Sequence, residues 1–242
     1  MTEVLNDKPV REPQEGSRVG AVRAIIFDLD GTLIDTIGLI LKSMRYAVQA
    51  VLGEDPSGEL RMRNVGAPLV DMMACFDESR VDELVDSYRT FNRKVHDDLI
   101  REYPGTGEVL DQLTRDGVTM GIVTSKSNGI ARRGLDLFGL GHHFEVLVGY
   151  DDVPVHKPDP YPLHYAADLL GVPLEDCAYI GDSPHDMTAA ITGGATAVAA
   201  RWGAFKEAEV LRPGPEFALP SIEHLLEWFY GDPEIYRVSR TL

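Results

Sequence analysis

Cysteine is scarce in this sequence: Cys75 and Cys177 are the two in 242 residues. They lie far apart, each in an apolar context, so neither a disulfide framework nor a cysteine metal site is available, and a reducing cytoplasm is the expected setting. Long apolar runs are absent too. None approaches the roughly 20 residues that span a bilayer, so a soluble chain with no membrane partner is expected. Positive charge is in deficit, with 23 Lys and Arg against 39 Asp and Glu and a formal net charge of −16. That balance argues against nucleic acid, which needs a basic surface to replace its counterions. The first twenty residues contain no apolar h-region and read as a loose, polar and acidic tail rather than a signal peptide. No internal repeat or low-complexity tract interrupts the rest, and the sequence leaves the oligomeric state open.

Short runs rich in valine and isoleucine alternate with segments of helical period, the pattern of parallel strands joined by crossover helices. The runs are Val22–Phe27, Thr119–Val123, Val146–Val148, Ala178–Ile180 and Ala195–Ala199. Helices are predicted at Gly107–Arg115, Asn128–Phe138, Pro160–Leu170, Asp186–Thr192 and Ser221–Phe229. Asp159 before Pro160 reads as an N-cap with proline in the first turn, and Gly171 as a C-terminal stop. From about Ile37 to Tyr103 no strand is convincing. Ile37, Leu41, Met44, Val48 and Val51 fall on one face of a first helix, and Val81–Leu99 carries a second long helical pattern. The expected architecture is α/β: a parallel-sheet core over 21–36 and 104–242, with a helical cap over 37–103 inserted after the first strand.

The first strand runs into Asp28-Leu29-Asp30-Gly31-Thr32-Leu33, placing two carboxylates two residues apart at its carboxyl end with side chains facing the same way. Open parallel sheets bind ligands just beyond those ends. Asp30-Gly31 alone would be an ordinary turn. Later strands end comparably, however: in Thr124-Ser125-Lys126, in Lys157-Pro158-Asp159-Pro160, and in Gly181-Asp182-Ser183-Pro184-His185-Asp186. Singly these read as a strand-end hydroxyl, a solvated lysine and a helix cap. Together, in order along one sheet edge, they suit phosphoryl transfer.

These residues resemble the four motifs of the haloacid dehalogenase-like hydrolases over about Val22 to Phe229. Asp28 to Leu33 looks like the first motif in its phosphatase form, Thr124 or Ser125 the second, Lys157 the third, and Gly181-Asp182 through Asp186 the fourth. The resemblance implies a Rossmann-like core and a type-one helical cap. It implies Asp28 as nucleophile and Asp30 as general acid and base, a role that calls for burial or neighbouring carboxylates. It implies Mg²⁺ held by Asp28, the Asp30 carbonyl and Asp182, with Asp186 behind them. Lys157 would add a second cation, and Thr124, with amides of Gly31 and Ser125 and the turn at Thr32, would hold phosphoryl oxygens. In a chain of charge −16, such a local cluster is what would draw in an anionic, small phosphorylated substrate.

The segments Tyr88–Asp98 and Asn64–Leu69 are similar to pyrophosphatases of this family, and Gly121–Lys126 is similar both to those and to phosphoglycolate phosphatases. Arg89, Arg93 and His96, neighbours on a helix, would form a polar cap face over the site. A phosphoglycolate phosphatase-like enzyme is the leading expectation. The alternatives are a pyrophosphatase, a phosphomutase of the β-phosphoglucomutase kind and, last, a non-catalytic binding protein.

Overall fold

A computed structural model describes residues 22–56, 62 and 65–239. The expected tail over 1–20, and Asn64, lie outside the described residues. Among the described residues eight strands form, in chain order: β1 (Ala24–Phe27), β2 (Ile34–Asp35), β3 (Arg101–Glu102), β4 (Thr119–Val123), β5 (Val146–Val148), β6 (Cys177–Gly181), β7 (Thr196–Ala200) and β8 (Phe217–Leu219). Six of them make one parallel sheet in the order β5-β4-β1-β6-β7-β8. The architecture is the α/β, Rossmann-like one expected. The predicted runs correspond to β1, β4, β5, β6 and β7 within a residue or two at each end.

Parallel sheets covered on both faces need strands that are apolar at every position, and β1 has that character. Ile25 and Phe27 point into one core, with Met120, Ile122, Ile180, Leu110 and Trp228. Ala24 and Ile26 point into the other, with Val148, Leu163, Leu170 and Met187. Each large side chain so buried contributes about 1.5–3 kcal/mol. Helices Thr106–Arg115, Asn128–Leu137 and His224–Tyr230 supply residues to the first face, Tyr161–Leu170 and Pro184–Gly193 to the second.

Two elements depart from the sequence reading. Strand β8 was not foreseen: its three residues lie between Pro215 and Pro220, and they pair with the edge of β7. Asp159 is not the N-cap of its helix. Pro160 holds that position, while the Asp159 carboxylate accepts the Tyr161 N–H at 2.8 Å. Gly171 does end the helix, in the left-handed conformation.

Between β2 and β3, which pair as a short antiparallel ribbon, the chain forms helices Ile37–Leu52, Leu69–Ala74 and Val81–Leu99. They share a hydrophobic cluster of their own that includes Ile40, Met44, Val48, Met73, Leu84 and Val85. The buried stripe of the first helix is Leu39, Ile40, Ser43, Met44, Ala47 and Val48. Ile37, Leu41 and Val51 are only half-buried. Packing against Val81–Leu99 rotates that stripe away from the face that periodicity alone suggested. Cys177 is a buried thiol outside any disulfide. Among the described residues, no helix is long and apolar enough to cross a membrane.

Candidate active site

Strand register places the functional side chains. Phe27 pairs with Ile122 on one side and Ile180 on the other, so Asp28, Thr124 and Asp182 all emerge at the same sheet edge, one to two residues beyond those partners. Lys157 arrives from the connection after β5 and is buried there. Its ammonium donates to Asp28 Oδ1 at 2.8 Å, to Asp186 Oδ1 at 2.6 Å and to the Tyr179 hydroxyl at 3.0 Å. Those are all three donors of the group. The other Asp186 oxygen takes the Ser183 N–H at 3.0 Å and the Ser183 hydroxyl at 2.6 Å.

Asp182 is held differently. Its Oδ2 accepts the Ala204 N–H at 2.8 Å, and the carboxylate lies between Gly31 and Gly203. A Cβ on Gly31 would stand 2.4 Å from Asp182 Oδ2, and one on Gly203 would stand 2.2 Å away. Only glycine fits at either place, and Gly31 in addition takes a positive φ of 82°.

Asp28, Asp182 and Asp186 offer carboxylate oxygens within 4.8 Å of one another, all buried. Burial pushes the Asp28 carboxyl up to about 7 against the pull of Lys157. Burial, followed by the charges of Asp186 and Asp28, drives Asp182 well above the usual carboxylate range. Asp186 is also buried, but Lys157 and Ser183 outweigh that and hold it below its ordinary value. Burial would lower Lys157, yet Asp186 and Asp28 keep it well above an ordinary lysine. Three buried carboxylates facing one ammonium leave negative charge uncompensated, and an all-oxygen donor set of this kind fits a hard divalent cation.

Asp30 stands at the mouth of this cluster. Its Oδ1 accepts the Thr36 hydroxyl and the Lys126 ammonium, each at 2.5 Å. Of the setting expected for it, burial or neighbouring carboxylates, Asp30 is half-buried and near enough for its charge to act on Asp28, while its ionic partner is the cation Lys126. Lys126 reaches it across 96 residues of sequence, a contact that no local pattern encodes.

Asp28, Asp30, Thr124, Ser125 and Asp182 line one cavity, whose other wall is Ile40, Val65, Leu69, Met72, Tyr88, Arg89, Asn92 and Arg93. The Ser125 hydroxyl donates to the Gly66 carbonyl at 2.8 Å and so ties the two walls together. The Gly31 amide serves its own turn, donating to the Ile34 carbonyl at 2.9 Å, so Gly31 acts here through its missing side chain. Thr32 is fully buried and its hydroxyl has no hydrogen-bond partner; it lies outside the cavity lining. Its carbonyl accepts the Trp202 indole N–H at 2.9 Å.

The polar cap face of Arg89, Arg93 and His96 does not form as a unit. Both arginines are exposed and line the cavity, whereas His96 is buried, 1% exposed, with Nδ1 against Asp97 at 2.8 Å and its edge near Gly134. Three residues after Arg93 the helix has turned its face toward helix Asn128–Leu137. In place of His96 the cavity gains Tyr88 and Asn92, and the wall is more apolar than the sequence suggested.

A stability consequence follows for His96. Burial, only partly opposed by Asp97, lowers its pKa. Below the ordinary histidine value of about 6.5 the unfolded chain binds a proton that the folded chain refuses, so stability is lost as pH falls through that range. Urea midpoints at pH 7.5 and 5.5 should therefore converge more closely in His96→Gln than in the parent, by at most about 1.4 kcal/mol per pH unit. An unchanged pH slope would remove His96 from this role.

Comparison with known proteins places these features in a lineage. The family model described as haloacid dehalogenase-like hydrolase matches residues 25–200. The chain is similar to the pyrophosphatase PpaX of Bacillus cereus (strain AH820), 36% identical over 205 residues, which are 85% of this chain and 95% of that protein. The fold is similar to the crystal structure of a predicted phosphoglycolate phosphatase from Haemophilus somnus 129pt, with a TM-score of 0.80 at 23% identity, covering 86% of this chain and 98% of that one. It is also similar to a haloacid dehalogenase-like family hydrolase from Streptococcus pneumoniae, with a TM-score of 0.77 at 24% identity over 86% and 98% of the two chains.

Proposed function

Because this chain belongs to the haloacid dehalogenase-like hydrolases, we propose that it hydrolyses a small phosphorylated substrate with Mg²⁺ through a phosphorylated Asp28. The observation that carries this is the buried constellation in which Lys157 bridges Asp28 and Asp186 while Asp182 stands beside them within metal-ligand reach.

A carboxylate oxygen of Asp28 attacks phosphorus, and the bond from phosphorus to the leaving oxygen breaks. Thr36 and Lys126 both hold Oδ1 of Asp30, so the proton handed to the leaving oxygen is carried on Oδ2. In the second half, Asp30 takes a proton from water as the water attacks phosphorus, and the acyl phosphate bond breaks to restore Asp28. Thr124, whose hydroxyl accepts the Lys126 N–H at 3.2 Å, would receive phosphoryl oxygens together with the amides of Leu29, Asp30 and Ser125, which have no internal partner among the described residues. Asp28, the Asp30 carbonyl and Asp182 would hold the Mg²⁺, and Asp186 would orient Lys157. Bound there, the cation supplies charge neutralisation that lets an anionic phosphoryl group approach an anionic nucleophile.

The segment 37–103 acts in this reading as a cap whose Arg89 and Arg93 meet a second anionic group of the substrate. Pyrophosphate satisfies that, and the relatives named pyrophosphatase favour it. The apolar side chains Ile40, Val65, Leu69 and Met72 favour a second reading, an organic phosphate such as 2-phosphoglycolate.

The test is phosphate release from pyrophosphate, 2-phosphoglycolate, sugar phosphates and an aryl phosphate, each with Mg²⁺ and with EDTA. Turnover of one of the first two is expected, lost in EDTA and restored by excess Mg²⁺. Release that survives EDTA, or no release from any compound, overturns the proposal, and the second outcome redirects attention to a phosphomutase or a binding role.

A further inference from the structure

A second cluster of ligating side chains lies at the opposite edge of the sheet. The turn Gly141–His143 comes just before β5, which puts it at the amino ends of the strands, away from Asp28 and Asp182. There Asp111, from helix Thr106–Arg115, meets His142 and His143, with one ligand atom of each within 4.8 Å of the others. The imidazole centroids are 3.9 Å apart.

The hydrogen bond on His142 fixes which of its nitrogens is free, and the contact on His143 is compatible with the same tautomer. His142 Nδ1 lies 2.8 Å from the Gly139 carbonyl, an acceptor only, so this nitrogen carries the proton and Nε2 keeps its lone pair. His143 Nδ1 lies 2.8 Å from the Thr114 hydroxyl, which can accept from it in the same way. His143 is 5% exposed, and its Nε2 stands 3.8 Å from Asp111 Oδ1, too far for a hydrogen bond. A buried imidazole nitrogen thus points at a carboxylate without bonding to it. Histidines that bind metals have this arrangement, one ring nitrogen donating to a carbonyl or hydroxyl and the other aimed at the ion.

We propose that Asp111, His142 and His143 form a binding site for a borderline transition-metal ion such as Zn²⁺, separate from the all-oxygen cluster at Asp28. Two imidazoles and one carboxylate select zinc, nickel or cobalt over magnesium, with water completing the shell. The ion would join helix Thr106–Arg115 to the connection that enters β5. It would stabilise the folded chain by mass action and take no part in phosphoryl transfer.

The test titrates ZnCl₂ calorimetrically into the untagged, EDTA-stripped full chain in excess Mg²⁺, comparing the parent with His142→Ala, Asp111→Asn and Asp28→Asn. One ion per chain is expected in the parent and in Asp28→Asn. His142 and Asp111 are exposed, so both of their variants should fold. Each should weaken binding by about tenfold or more, the loss seen when a metal site is disturbed. Zn²⁺ should raise the melting temperature of the parent and not that of His142→Ala. Absence of stoichiometric binding, equal affinity in the His142 and Asp111 variants, or loss of the ion in Asp28→Asn would each overturn the site. Because Asp28→Asn is expected to be inactive, this result is independent of whether the proposed hydrolysis is correct.

Discussion

Asp28→Asn is expected to lower kcat for phosphate release by at least about 10⁴-fold while the protein stays folded, as read by circular dichroism and thermal melting. The amide is isosteric but is not a nucleophile at neutral pH, so the covalent step is lost rather than slowed by misplacement. The fold tolerates the change because an asparagine oxygen can still accept from Lys157, which now donates to Asp28 Oδ1 at 2.8 Å. The substitution also removes a buried carboxyl group whose ionisation is disfavoured by burial and by the neighbouring charge of Asp186. Without Mg²⁺ the melting temperature should therefore be equal to that of the parent or higher. A pure sample with parental activity would remove Asp28 from the nucleophile's role. An unfolded one would show that its charge is required for structure.

Lys157→Met is the complementary case, with loss of both activity and stability. The ammonium lies between Asp28 and Asp186 in a fully buried site, and its removal leaves two carboxylates facing each other with no cation between them. Breaking one side of a buried ionic network typically costs about 3–5 kcal/mol, which in a chain of this size is on the order of 10 °C in melting temperature. Loss of the positive charge beside the phosphoryl group should also lower kcat by on the order of 10²-fold or more. The double variant Lys157→Met/Asp186→Asn should regain part of the stability and none of the activity. That pattern separates the cost of an unpaired charge from the loss of a functional group. A Lys157→Met protein as stable as its parent would contradict the burial and pairing described above.

The site proposed at Asp111, His142 and His143 joins residues from two separate elements. Nothing in the spacing of those residues suggested it, since Asp111 lies about thirty positions before the two histidines on another element. The Gly139 carbonyl is local to His142, whereas the Thr114 hydroxyl becomes a neighbour of His143 only when helix Thr106–Arg115 packs beside the turn before β5.

What could be read from sequence was whatever depends on local pattern. Five short valine- and isoleucine-rich runs, each too short for a helix, specified five of the six parallel strands. The polar residues that end them, Asp28, Thr124 and Asp182, were therefore bound to share one edge, because parallel register aligns strand ends. The family could be read for the same reason: its motifs are short stretches tied to strand ends. The structure alone decided the rest. Lys126 reaches Asp30, Ala204 and two glycines clamp Asp182, and Tyr179 shares the ammonium of Lys157. Arg93 faces the cavity while His96, three residues on, is buried against another helix. Periodicity shows that a helix has an apolar face, but the direction of a given side chain is set by which neighbour covers that face. That choice belongs to packing between segments far apart in the chain.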